Sequence, residues 1–177
     1  MKDKTENGAK ECLSRLEGMY KKVYSRPMTV SVLSYLGYFL VAFVALSFCF
    51  ALYLAYSVRA WNCVRLAVAA GVPFIFVSVI RRVLNYPRPY EQCDFSKLGI
   101  ESPKSKRGES FPSRHVFSAF LIGVLIFPYA PTLSLFNLVA GCAIAVFRVL
   151  LGVHFPRDVI VGAVIGVVSG ALGMLIL

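Results

Sequence analysis

Histidine is scarce in this chain, and its cysteines follow no pattern. Only two histidines, His115 and His154, occur among 177 residues. The five cysteines, Cys12, Cys49, Cys63, Cys93 and Cys142, show no C-x-x-C spacing and no metal-ligand pattern with either histidine. Those in or beside apolar runs behave as small hydrophobes. Acidic residues are few as well. Nine Asp and Glu stand against nineteen Lys and Arg, for a net charge of +10, and no carboxylate cluster offers a metal site. No internal repeat or low-complexity segment occurs. A signal peptide is not expected, because the apolar run from Met28 is too long for a signal h-region and lacks a small-residue cleavage site. No polar stretch large enough for a soluble module remains once the apolar runs are set aside. The basic balance therefore points to anionic lipid headgroups or a phosphorylated substrate, and away from nucleic acid.

What the chain has is apolar length. Hydrophobic residues make up 58% of it, in runs long enough to cross a bilayer. The first is Met28 to Ser57; its thirty residues rise about 45 Å, enough for one tilted helix and too little for two. The second is Trp61 to Ile80, with Trp61 suited to an interfacial belt, Arg65 able to snorkel and Pro73 a potential kink. The others run from about Ser113 to Ala130, Ser134 to Leu151 and Val159 to Leu177, with Pro128 and Pro131 marking the turn between the third and fourth. Residues 1–27 are polar and basic. Within them Leu13, Leu16, Tyr20, Val23 and Tyr24 recur at helical spacing, opposite Arg15, Lys21 and Lys22, which predicts an amphipathic helix lying in the membrane interface. The expected fold is all-α: an integral membrane helical bundle of about five transmembrane helices over 28–177, preceded by the amphipathic segment 1–27.

Five alternating spans make a prediction of their own. The end of span two, the start of span three, the end of span four and the start of span five share one membrane face. That face carries Arg81–Tyr90, Phe111–His115 and Arg148–Asp158, the most polar clusters flanking the spans.

Each cluster has a chemical reading and an ordinary one. In "RRVLNYPRPY" (81–90), Arg81 and Arg88 offer planar forks for bidentate hydrogen bonds to phosphate; the alternative is a basic loop beside headgroups. In "FPSRH" (111–115), Pro112 suits a helix start, whose free N–H groups favour an anion. Ser113 adds a hydroxyl and Arg114 a charge, and His115 is placed as an acid or base. The alternative is a capping segment with an incidental histidine. In "FRVLLGVHFPRD" (147–158), Arg148 sits at the end of an apolar run, where a charge is costly and functional by default. His154 and Asp158, four apart, can face each other across a turn, and an Asp bonded to a His fixes its tautomer; the alternative is an interfacial histidine with an acidic residue at a helix N-terminus.

Arg81-x6-Arg88-Pro89, then Pro112-Ser113-x-His115, then Arg148-x5-His154-x3-Asp158 together resemble the three-part signature of the type 2 phosphatidic acid phosphatase (lipid phosphate phosphatase) superfamily. Each short motif alone is weak; the three in order are specific. The resemblance implies that His154 is the nucleophile and forms a phosphohistidine, and that Asp158 holds it. It implies that His115 protonates the leaving oxygen and then activates water. Arg81, Arg88, Ser113 and Arg148 would bind the phosphoryl oxygens, with Arg114 as an added contact. No metal and no other cofactor is implied. The chain departs from the family pattern at Arg81, where Lys is usual, at Arg114, where Gly is usual, and at Phe147, where Ser is usual. None of these removes the nucleophile or a proton-transfer group.

The resemblance implies a membrane phosphatase acting on a lipid phosphate or diphosphate such as phosphatidylglycerol phosphate, a polyprenyl diphosphate, phosphatidic acid or a lipid A phosphate. A phosphotransferase using the same phosphohistidine and a non-catalytic anionic-lipid-binding protein are the alternatives. The expected location is a bacterial cytoplasmic membrane. The Lys-rich N-terminus argues for a cytoplasmic site face by the positive-inside rule, whereas the family's orientation places the site outside the cytoplasm. The latter is the expectation adopted, since the charges of the loop can serve the substrate.

Overall fold

The computed structural model describes residues 14, 16–92 and 107–177. Cys12, Leu13, Arg15, Cys93, Lys97, Lys104 and Lys106 lie outside the described residues. A first helix, α1, covers 16–24. It is followed by α2 (Pro27–Val58), α3 (Ala60–Leu84), the short α4 (Pro89–Gln92), α5 (Arg114–Leu125), α6 (Pro131–Leu150) and α7 (Pro156–Met174). Prolines open α2, α4, α6 and α7, at the position where a missing N–H costs nothing. Helix α3 ends at Asn85 in the left-handed conformation (φ 42°), two residues before a proline that cannot continue it.

Among the described residues, four stretches are long and apolar enough to cross a membrane: Pro27–Val58, Ala60–Gln92, Pro131–Leu150 and Pro156–Met174. Their outer sides expose Tyr35, Phe39 and Leu46 on α2, Ile75 and Phe76 on α3, Leu135 on α6 and Ile160 on α7. Apolar surface of this extent needs lipid to cover it. The protein is an integral membrane helical bundle.

The third expected span takes a different form. Helix α5 has 12 residues, a rise of about 18 Å against the roughly 30 Å of a bilayer core. It gives way after Leu125 to a turn over 126–129, closed by Phe127 N–H to Val124 O and Tyr129 N–H to Ile126 O, and Pro128 within that turn has no N–H to extend a helix. Val116, Phe117, Ala119, Leu121 and Leu125 are all at most 1% exposed, and α5 contacts α2, α3, α6 and α7. It is the centre of the bundle and is shielded from lipid.

A glycine stripe on α7 brings α5 that close. A Cβ added at Gly162 would lie 2.7 Å from Ser113 O, and one at Gly166 would lie 2.6 Å from Phe117 O. One at Gly170 would lie 2.7 Å from Val124 Cβ. Small residues four apart let two membrane helices approach to backbone contact. Successive glycines along α7 meet successive turns of α5, so the two helices run parallel and begin on the same face.

Helix α1 also differs from expectation. Its apolar side turns onto the protein, not onto lipid: Leu16 and Tyr20 are buried with Tyr90, Val153 and Phe155 in one cluster, with Met19, Tyr24 and Leu151 against it. The reason is that Tyr90, Leu151, Val153 and Phe155 form an apolar surface at the site face that α1 can cover, while Lys21 and Lys22 stay exposed.

Candidate active site

The three motif clusters meet at one end of the bundle. Arg81 comes from the last turn of α3, and Arg88 stands just before α4. The irregular segment 107–113 leads into α5 and His115; Arg148 lies in the last turn of α6, His154 lies in the α6–α7 connection, and Asp158 is in the first turn of α7. The backbone N–H of Ser113 donates to Asp158 O at 2.9 Å, joining the first turns of α5 and α7.

The approach segment is strapped down before it delivers His115. Arg81 donates to the carbonyls of Glu109 and Pro112 and, at 3.4 Å, to that of Ser110. Arg88 Nε donates to Gly108 O at 2.9 Å. Glu91 Oε1 accepts from the N–H of Gly108 at 2.7 Å and of Arg88 at 3.0 Å. Gly108 is required here. Its φ is +67°, and a Cβ would lie 2.1 Å from Asn85 Oδ1. Arg81, expected as a phosphate ligand, thus engages its terminal nitrogens with backbone carbonyls and shapes the loop.

Asp158 and His154 are brought together, with a correction to the expected direct hydrogen bond. His154 Nδ1 stands 3.8 Å from Asp158 Oδ2, an ion-pair separation too long for a hydrogen bond. Ser110 fills the gap. Its hydroxyl donates to Asp158 Oδ2 at 2.5 Å and lies 3.5 Å from His154 Nδ1. The same Oδ2 accepts from Phe155 N–H at 3.0 Å, which caps α7 from its third residue. His154 is 3% exposed. Burial pushes its imidazole below the usual histidine range, against the opposing pull of Asp158.

Ser113 is fully buried at the start of α5, and its Oγ has no hydrogen-bond partner among the described residues. A buried hydroxyl left open beside helix N–H groups is suited to an anion. Arg148 is 8% exposed, and its carbonyl accepts from the N–H of Val153 at 3.1 Å and His154 at 3.3 Å. Arg81, Arg114, Arg148 and His154 all lie within electrostatic reach of His115.

His115 and Arg114 line a cavity of about 530 Å³ between α2, α3, α5 and α6, whose other walls are mainly apolar, among them Val44, Phe48, Phe74 and Ile144. The Arg114 guanidinium lies over the Phe74 ring, 5.7 Å from its centroid. Phe147, in place of the usual serine, turns toward α2 at Gly37.

Ser110, Glu91 and Arg157 were not among the expected site residues. Arg157 Nε lies 3.5 Å from Asp158 Oδ1, and its guanidinium stacks on Tyr86 and Phe155. Ser110 immediately precedes "FPSRH", and that adjacency was the one signal for it. For Glu91 and Arg157 the spacing carries none.

An all-helical membrane bundle with both of its histidines set among arginines at one face defines the class of protein. The chain belongs to the PAP2 superfamily, whose family model matches residues 62–177, a stretch that holds all three motifs. It is 28% identical over 144 residues to the bacitracin transport permease protein BcrC of Bacillus licheniformis, spanning 78% of this chain and 69% of that protein. Its fold is similar to that of Aquifex aeolicus LpxE, with a TM-score of 0.62 at 21% identity over 89% of this chain and 93% of that one. It is also similar to the transmembrane PAP2 type phosphatidylglycerolphosphate phosphatase of Bacillus subtilis, with a TM-score of 0.68 at 19% identity, covering 91% of this chain and 83% of that one.

Proposed function

We propose that the protein is a phosphatase of lipid phosphates or lipid diphosphates that works through a phosphohistidine on His154. The observation that carries this reading is the placement of the two histidines. One is backed by Ser110 and Asp158, and the other lines an apolar cavity between membrane helices. A phosphoryl group at the arginine-rich face and a hydrocarbon chain in the cavity match a substrate that is polar at one end only.

The geometry supports the following chemistry. With Asp158 Oδ2 accepting from Ser110, the serine oxygen is left to accept from His154 Nδ1–H. That tautomer leaves the lone pair of Nε2 free to attack phosphorus. The P–N bond forms as the bond to the lipid oxygen breaks, and His115 gives that oxygen a proton. His115 then takes a proton from water, whose oxygen attacks phosphorus as the P–N bond breaks, releasing inorganic phosphate and restoring His154. The negative charge of the bound group offsets the arginines around His115 and lets it hold its proton. Arg88, Arg114, Arg148 and the open Ser113 hydroxyl meet the phosphoryl oxygens, while Arg81 keeps the cradle in shape.

The location that goes with this reading is a bacterial cytoplasmic membrane with the site facing away from the cytoplasm. The deciding experiment is phosphate release by the purified protein from phosphatidic acid, phosphatidylglycerol phosphate, a polyprenyl diphosphate and a lipid A phosphate. Turnover of at least one, abolished by His154→Gln, is expected. No release from any of them would overturn the proposal.

A further inference from the structure

Helix α1 lies outside the residues matched by the family model, yet it packs directly on the segment that carries His154. We infer that α1 is a positioning element of the active site, clamping the 151–155 connection so that the His154 imidazole is held in its attacking pose. This rests on the reading of His154 as nucleophile.

Three observations converge. Tyr24 Oη donates to Leu151 O at 3.2 Å, across 127 residues of sequence. Tyr20 is 0% exposed and packs with Leu16 against Val153 and Phe155, the residues on either side of His154. Tyr90 belongs to the same cluster, and its ring lies beneath the Arg88 guanidinium at 5.9 Å. One helix therefore packs on the nucleophile's loop and on Tyr90, whose ring meets Arg88, the residue that holds Gly108.

The loop needs such a clamp. It contains Gly152 in a left-handed conformation (φ 63°). Leu151, Gly152, Val153 and His154 bond back to the end of α6, at Phe147 O, Val149 O and Arg148 O, and Phe155 bonds forward to Asp158 in α7. A short connection that carries a glycine between these two anchors keeps conformational freedom. An attacking atom displaced by about 1 Å loses on the order of a hundredfold in rate. The Tyr24 phenol is pushed up to about 12 by burial, so it remains a donor throughout the pH range in which a histidine enzyme works.

The test uses the full-length protein and the panel lipid it hydrolyses fastest. Tyr24→Phe removes one hydroxyl and should lower kcat about fivefold with KM within about twofold of wild type. Tyr20→Ala should lower kcat further, and Tyr20→Phe should restore it. The acid limb of the kcat–pH profile should also move. As the loop loosens and admits water, the titration of His154 moves up toward the ordinary histidine range. The other charged groups around it are Asp158 on α7, Arg81 on α3, Arg88 before α4 and His115 on α5, and all of them are unchanged in these variants. Lys22→Ala, on the exposed side of α1, should behave as wild type.

Wild-type kcat and an unmoved pH profile in both Tyr24→Phe and Tyr20→Ala would overturn the inference. So would a loss of activity matched by loss of folded protein with the profile unmoved. If Tyr20→Ala does not fold, Tyr24→Phe decides alone. Failure of the underlying reading looks different: the wild-type protein releases no phosphate, or His154→Gln retains activity.

Discussion

The Ser110 hydroxyl stands between Asp158 and His154, 2.5 Å from the carboxylate oxygen and 3.5 Å from Nδ1, in a space too wide for the carboxylate and imidazole to bond directly. The serine carries the orientation that a direct Asp–His bond would otherwise supply. Ser110→Ala removes a hydrogen bond to a charged group, worth about 1.5–3 kcal/mol. The expected result is a fall in kcat of roughly ten- to a hundredfold with KM little changed. Ser110→Thr keeps a hydroxyl and should recover part of the loss. Steady-state kinetics of both variants check this.

The nucleophile assignment predicts different labelling in two variants. His154→Gln should lose at least about three orders of magnitude in turnover and all phosphoenzyme labelling. His115→Gln should slow both steps but still accumulate some labelled enzyme with a substrate whose leaving group needs no proton. Alkaline rapid-quench labelling with a lipid diphosphate radioactive in its terminal phosphate distinguishes the two.

The buried His154 gives stability a pH dependence. Its imidazole titrates below the ordinary histidine value in the folded protein, because burial disfavours the cation. Between the ordinary value near 6.5 and that lower folded value, the unfolded chain binds the extra proton. The contribution is therefore fully present above about pH 6.5 and is lost as pH falls through the folded value. The melting temperature of the wild type should fall relative to His154→Gln as pH drops below about 6.5, and the two curves should run parallel above it.

The α5–α7 contact tolerates no added methyl group. A Cβ at Gly166 would lie 2.6 Å from Phe117 O, so Gly166→Ala should destabilise by about 1–3 kcal/mol and reduce activity through the displaced first turns of α5 and α7. Gly18→Ala meets nothing within 4 Å and should be neutral or slightly stabilising. Thermal unfolding in detergent compares them.

The arginine cradle predicts that phosphate release is unaffected by EDTA, since the phosphoryl charge is met by guanidinium groups. Orientation has its own readout. Arg82→Cys, exposed at the end of α3, should react with a membrane-impermeant thiol reagent applied outside intact cells.

Much of this was legible in the sequence. Apolar runs of bilayer length and the alternation of spans brought the three motif clusters to one face before any coordinates were needed. The apolar pattern around 113–130 gave burial but not length. A helix buried among neighbours and a helix facing lipid carry the same side chains, and the stop at Leu125 depends on the turn at Pro128. The amphipathic pattern of α1 gave an apolar side but could not say what covers it, because Val153 and Phe155 are more than a hundred residues away. Ser110 had only its place beside "FPSRH" to mark it as an active-site group, for a similar reason. Its position follows from Arg81 gripping the 109–112 carbonyls, a contact between distant segments that spacing does not encode.

The glycine stripe has a consequence for how a lipid reaches the site. Helices α5 and α7 meet backbone to backbone. The cavity beside His115 is lined on its other sides by α2, α3 and α6, and α2 and α3 are joined by the single residue Arg59. Helices α2 and α3 are thus tied together at the membrane face opposite the phosphate site, and a lipid chain in the cavity lies between them and α5.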